Sequence, residues 1–233
     1  MAPRPASAAA VPSGARTAAS SFDAVILAGG RGARLGGADK PALTLGASTL
    51  AGAVITAAID AGAHRVIMVG PPRPDLLPLS ARLPGGLAEV REDPPASGPV
   101  PALRCGVSQV RQPWAMVLAA DLPFLRGEHL SVLLTAAALA PARDKGAVAR
   151  AGAVLVDDEG VPQWLLGCWR AERLRSALAS YGGESLRGLF LPLHPVRAGW
   201  DLSGGQPPPW LDCDTPADLS RARNWHAQRA GPG

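Results

Sequence analysis

Ala24-Val25-Ile26-Leu27-Ala28 is a short apolar run that stops against glycine. The loop Gly29-Gly30-Arg31-Gly32-Ala33-Arg34-Leu35-Gly36-Gly37-Ala38-Asp39-Lys40 follows it directly. Such a run, too brief for a helix and with no polar alternation, predicts a parallel strand covered on both faces. A strand of that kind needs parallel neighbours, and each neighbour needs a long crossover, usually a helix. The chain offers both. Apolar runs predict further strands at 66–69, 87–90 and 115–119, with helices at 48–61, capped by Ser48, and at 100–110 and 127–140. The region beyond is less regular. It reads as strands at 147–149, 153–156 and 164–168, helices at 170–180 and 185–190, a last strand at 210–213 and a helix at 216–225. Pro216 suits the first turn of that helix, where its missing N–H has no helical partner. The alternation predicts an α/β fold: a single Rossmann-like three-layer domain with a mostly parallel central sheet. Its expected extent is 22–228, between a disordered leader (1–21) and a disordered tail (229–233).

Composition narrows the function. Net charge is only +4, from 23 Lys and Arg against 19 Asp and Glu, and aromatic residues make up 4%. A nucleic-acid surface needs clustered cations and stacking rings, so no nucleic-acid partner is expected. No apolar run approaches the ~20 residues of a membrane span. Cys105, Cys168 and Cys213 are dispersed, which suits a reducing cytoplasm better than a disulfide framework. The four histidines form no zinc-binding spacing. The Ala/Pro/Ser-rich leader lacks the continuous apolar stretch of a secretory signal, because Pro12, Ser13 and Gly14 interrupt it.

Ligands of open α/β sheets sit outside the carboxyl ends of the strands, and three features fall there. In the loop 29–40, glycines let main-chain N–H groups approach an anion, while Arg31, Arg34 and Lys40 bring positive charge. That combination suits a triphosphate. It is not a dinucleotide fingerprint, since Leu35 stands where Gly or Ala is required, nor a P-loop, since Lys40 precedes proline. Asp121 follows the fourth strand and reads equally as a Mg²⁺ ligand or as the cap of the next turn. Trp210-Leu211-Asp212-Cys213-Asp214-Thr215-Pro216 is a second acidic segment. Asp214 is expected to cap the final helix, and Asp212 is left as a candidate second metal ligand.

Leu27-Ala28-Gly29-Gly30 with Arg34-Leu35-Gly36-Gly37-Ala38-Asp39-Lys40 resembles the signature loop of the molybdenum cofactor guanylyltransferases, within the nucleotidyltransferase superfamily. The likeness continues in Glu92-Asp93-Pro94, Gly98-Pro99, Asp121-Leu122-Pro123-Phe124-Leu125 and Asp212 to Leu219, spanning about residues 23–225 in order. Two departures stand out: Val100-Pro101-Ala102 replaces the Leu-Ala-Gly often found there, and Asp212 and Asp214 stand where some relatives carry Asn. The resemblance implies transfer of GMP from GTP to the phosphate of molybdopterin, with Mg²⁺ as cofactor. It implies that Leu27, Ala28, Gly29 and Gly30 contact the nucleotide through main chain. By the same resemblance Lys40 would bind phosphates, Arg34 would help to neutralise pyrophosphate, Asp93 would help to hold base or ribose, and Asp121 would ligate the metal. Gln163 and Trp164 would lie near the pterin. A cytidylyl or sugar-phosphate transferase of the same fold remains open, as does a nucleotide-binding protein without turnover. A molybdoenzyme or chaperone that takes up the product leaves no mark in the sequence.

Overall fold

The computed structural model describes residues 21–29, 39–140 and 150–230. Its centre is β1 (Phe22–Leu27), with all six residues buried. On one side β1 pairs in parallel with β4 (Arg65–Val69), which pairs in parallel with β5 (Leu87–Val90). On the other side it pairs in parallel with β6 (Trp114–Ala119). The sheet continues through β8 (Pro162–Arg170), β7 (Gly152–Val156) and β9 (Val196–Ala198), giving the order β5-β4-β1-β6-β8-β7-β9. Only β8 runs antiparallel to its neighbours. The mostly parallel sheet expected from the sequence is therefore present.

The period of two along each strand divides the side chains between two cores. Ala24, Ile26, Met68, Met116 and Leu118 meet Val54 and Ile55 of α1 (Leu50–Asp60) and Leu130 and Leu133 of α3 (Gly127–Leu139). Val25, Leu27, Ile67, Val69 and Val117 face the opposite layer. There they meet Leu103 and Val107 of α2 (Pro99–Ser108), Leu174 of α4 (Ala171–Ser180) and Phe190 of α5 (Leu186–Phe190). Gly106 sets how closely α2 lies on the sheet. A Cβ there would come within 2.5 Å of Val25 Cγ1 and 2.7 Å of Val69 Cγ2.

A third, smaller core lies at the carboxyl end of the sheet. It joins Leu45 of the short hairpin β2 (Thr44–Leu45) and β3 (Ser48–Thr49) to Leu50, Phe124 and Cys213. Leu219 and Ala222 of α6 (Pro216–Ala230) complete it. Among the described residues no helix is long and apolar enough to cross a membrane.

The structure departs from the sequence reading in several places. Thr49, not Ser48, caps α1 by accepting from the Gly52 N–H at 3.1 Å, while the Ser48 hydroxyl donates to the Thr49 carbonyl at 3.3 Å. Residues 210–213 form no strand: three prolines precede Trp210 and cannot donate to a ladder. A 3-10 segment, Pro74–Arg82, was not foreseen, nor was β9. The expected strand at 147–149 lies outside the described residues.

His129 in α3 gives a test of the packing. It is 2% exposed, packs edge-on against Trp200 at 4.3 Å, and its Nδ1 accepts the Arg126 N–H at 3.0 Å. Burial lowers its pKa to about 4, against ~6.5 in the unfolded chain. The depressed value means that the unfolded state takes up the proton first. Stability from this group is thus complete above about pH 6.5 and lost as pH falls toward 4. Wild type should lose about 2 kcal/mol more than His129→Gln between pH 7.5 and 5, measured by urea unfolding at each pH. Parallel stability curves for the two proteins would mean that His129 is not held neutral.

Candidate functional site

A cavity of about 530 Å³ opens at the carboxyl ends of β5, β4, β1 and β6. Leu27, Ala28 and Gly29 line it where β1 ends, Gly70 and Pro71 where β4 ends, and Ala119 to Asp121 where β6 ends. Ala28 is held by donating its N–H to the Val69 carbonyl at 2.8 Å, and Ala120 donates to the Leu27 carbonyl at 3.2 Å. Gly70 has φ +152°, and a Cβ there would meet the Ala28 carbonyl carbon at 3.0 Å. Glycine therefore keeps the ends of β1 and β4 together on the cavity floor.

Lys40 enters from the loop side, on a 3-10 turn (Lys40–Ala42). Its ammonium contacts Asp214 directly and lies 3.8 Å from Asp121 Oδ2. Burial opposes its charge, but the hydrogen bond to Asp214 and the charges of Asp121, Asp214 and Asp212 outweigh that and raise its pKa. Burial raises Asp121, with Lys40 pulling the other way and Asp212 adding repulsion. Burial and the neighbouring Asp214 likewise raise Asp212. Three carboxylates around one ammonium leave the cluster short of positive charge.

The chain brings these acids together by a backbone contact: the Cys213 N–H donates to the Asp121 carbonyl at 3.2 Å. The cap expected of Asp214 is made by its neighbours. Thr215 Oγ1 accepts the Asp218 N–H at 3.2 Å, while Asp218 Oδ2 accepts from Thr215 N at 2.8 Å and Oγ1 at 2.7 Å. This capping box starts α6 and releases Asp214 toward Lys40. Burial, with the charges of Asp121, Asp218 and Asp212, pushes the Cys213 thiol up to about 12. It is therefore no nucleophile at neutral pH.

This donor set suits Mg²⁺. Among the described residues no three His, Cys, Asp or Glu side chains converge closely enough to hold a metal by themselves. Mg²⁺ usually takes one or two protein carboxylates and completes its shell with water and phosphate oxygens. Asp121, with Asp212 or Asp214, supplies such carboxylates, and the surplus negative charge is what a divalent cation answers.

Arg73, which the sequence reading did not single out, ties the site to the sheet. It is 4% exposed and grips Asp39 with both arms of its guanidinium, at 2.8 and 2.7 Å. Its own N–H donates to Glu89 Oε1 of β5 at 2.5 Å. Asp39 precedes Lys40, so this bidentate pair anchors the end of the glycine-rich loop. Nothing in the local sequence marks an arginine between prolines as buried.

Other expected residues fall differently. The acid that lines the cavity beside Gly29 is Glu92, 7% exposed, whereas its neighbour Asp93 is exposed and not among the lining residues. Gln163 donates to Asp157 Oδ2 at 3.0 Å within its own hairpin. Trp164 stacks with Phe190 at 6.0 Å, and the next residue, Leu165, reaches the cavity. Gly30 and Arg34 lie outside the described residues.

Comparison with known proteins places the fold in a family. The family model for the MobA-like NTP transferase domain matches residues 24–196. The chain belongs to this family. The molybdenum cofactor guanylyltransferase of Pseudomonas paraeruginosa (strain DSM 24068 / PA7) is 34% identical over 125 residues, covering 51% of this chain and 58% of that protein. The protein of the same name from Pseudomonas aeruginosa PAO1 is 32% identical over 128 residues, with the same coverage. The matched stretch thus spans a little over half the length of these relatives. A nucleotidyl transferase from Methanothermobacter thermautotroptrophicus superposes with a TM-score of 0.62 at 22% identity, covering 89% of this chain and 98% of that one. A 4-diphosphocytidyl-2C-methyl-D-erythritol synthase from Anaerococcus prevotii gives 0.59 at 12%, covering 88% and 96%. At these identities the structural likeness speaks for the fold. The family match ends before α6, so Asp212 and Asp214 come from outside it.

The Arg73–Asp39 tie is testable. Asp39→Ala leaves a buried guanidinium without its carboxylate and should cost roughly 1–3 kcal/mol in denaturant unfolding. Adding Arg73→Met should recover part of that loss, because an apolar side chain replaces the stranded charge. Simple additivity of the two losses would show that the pair is not coupled.

Proposed function

We propose that this protein transfers GMP from GTP to the phosphate of molybdopterin and releases pyrophosphate. The observation that carries the reading is Lys40 among Asp121, Asp212 and Asp214 at one end of a glycine-floored cavity across the strand ends. The names of the Pseudomonas relatives support the choice of nucleotide and acceptor. All three cysteines are free, which suits a reducing, cytoplasmic setting.

An acceptor phosphate oxygen forms the new bond to the α-phosphorus of GTP. The bond from that phosphorus to the α–β bridging oxygen breaks, and pyrophosphate leaves with the electron pair. The attacking oxygen is already anionic, so no general base is needed. Catalysis rests on holding two mutually repelling anions in line and on neutralising the leaving group. Leu27 to Gly29 offer main chain to the nucleotide, and Lys40 offers a point charge to its phosphates. Arg34 in the glycine-rich loop adds a second cation. Asp121, with Asp212 or Asp214, would hold Mg²⁺, which when bound supplies positive charge to the phosphates. Lys40 is held by the acids, and a triphosphate would exchange for them.

Two substitutions test these roles. Lys40→Ala should lower kcat/KM at least ten- to a hundredfold with the fold intact, the cost of one charge-assisted phosphate contact. Asp121→Asn should abolish transfer at ordinary magnesium with little loss of stability, because the amide keeps the size but not the charge a hard cation demands. Pyrophosphate release on mixing with GTP, molybdopterin and Mg²⁺ is the readout. Near-normal turnover and magnesium dependence in Asp121→Asn would overturn the metal assignment. Turnover with CTP in place of GTP would overturn the choice of nucleotide.

A further inference from the structure

Glu92 is a buried carboxylate with only half of its hydrogen bonding accounted for. Its Oε1 accepts the Ala96 N–H at 2.9 Å, while Oε2 is buried with no hydrogen-bond partner among the described residues. An unanswered carboxylate oxygen at 7% exposure is costly. The surroundings explain neither the charge nor the burial as packing. Glu92 lines the cavity beside Ala96, Gly98 and Ala102, and Gly29 faces it closely enough that a Cβ there would sit 3.9 Å from Oε1. The missing donors are therefore expected from what fills the cavity.

We propose that Glu92 reads the base, accepting the adjacent N1–H and 2-amino N–H groups of guanine. This rests on the nucleotidyltransfer reading above and adds to it the residue that selects the nucleotide. Position argues for the base rather than the ribose. Glu92 lies two residues past the end of β5, and Asp121 lies two residues past the end of β6. In the order β5-β4-β1-β6 these strands are three spacings apart, or about 14 Å at the usual ~4.8 Å between neighbours. That matches the reach of a nucleotide from its phosphates to the far edge of its base, with the ribose over the middle strands.

Chemistry then selects among bases. Adenine and cytosine present one amine beside a ring-nitrogen acceptor, which a carboxylate repels. Uracil presents a single N–H between two carbonyls. Guanine alone offers two neighbouring donors, the pattern that a carboxylate accepts. A site built to receive a donor discriminates strongly against an analogue that lacks it.

The test compares GTP with ITP, which lacks only the 2-amino group, by titration of the full-length protein with Mg²⁺ present. Wild type should bind GTP about ten- to a hundredfold more tightly than ITP, the worth of one hydrogen bond to a charged acceptor. Glu92→Gln should bring the two affinities close together, because its neutral oxygen no longer rewards the second donor. Equal binding of GTP and ITP by wild type would overturn the proposal without needing any variant. So would a Glu92→Gln protein that keeps the wild-type ratio. A preference for CTP, UTP or ATP over GTP would instead remove the function on which the proposal rests.

Discussion

Everything in this molecule is arranged around a strand that cannot be exposed on either face. β1 is buried along its whole length and has parallel partners on both sides. Each parallel partner requires the chain to cross over the sheet, and those crossovers become the two helical layers. The same direction sends the ends of β5, β4, β1 and β6 to one edge, where their backbone groups run out of ladder partners. The cavity is a consequence of that edge. Its glycines then decide how much main chain a ligand can reach.

This explains why the fold was legible in the sequence. Val25, Ile26, Val66, Ile67, Val117 and Leu118 all fall in short runs with no polar alternation, which only a doubly covered sheet accommodates. What escaped was built from weaker signals. β9 is three residues long, and Pro74 and Pro78 within Pro74–Arg82 argue against any regular helix there. The misread strand at 210–213 shows the limit from the other side. Two apolar residues before an acid resemble a strand end, but Pro207, Pro208 and Pro209 lead straight into them and have no N–H to give a ladder.

The site divides in a similar way. Lys40 and Asp121 stand out in the sequence because each follows a buried strand or a glycine-rich turn, and both line the cavity. Between Glu92 and Asp93 the sequence offers no means of choosing, since adjacent residues of the same type differ only in the direction of the loop. Asp214 was assigned to the helix cap because Asp is a good cap. Thr215 and Asp218 make a reciprocal pair instead, and a reciprocal pair satisfies two donors where Asp214 alone would satisfy one. Arg73 had no local signal, because its partner Asp39 lies 34 residues away.

The third core carries a consequence for how the molecule works as a machine part. Asp214 stands at the head of α6, and α6 is held by a handful of side chains, among them Leu219, Ala222 and Trp225 against Leu45 and Phe124. The central sheet has far more buried surface to lose, so the two can loosen at different cost. The contact between Lys40 and Asp214 therefore depends on an element packed apart from the two main cores. The charge balance around Lys40 thereby depends in part on the smallest of the three cores.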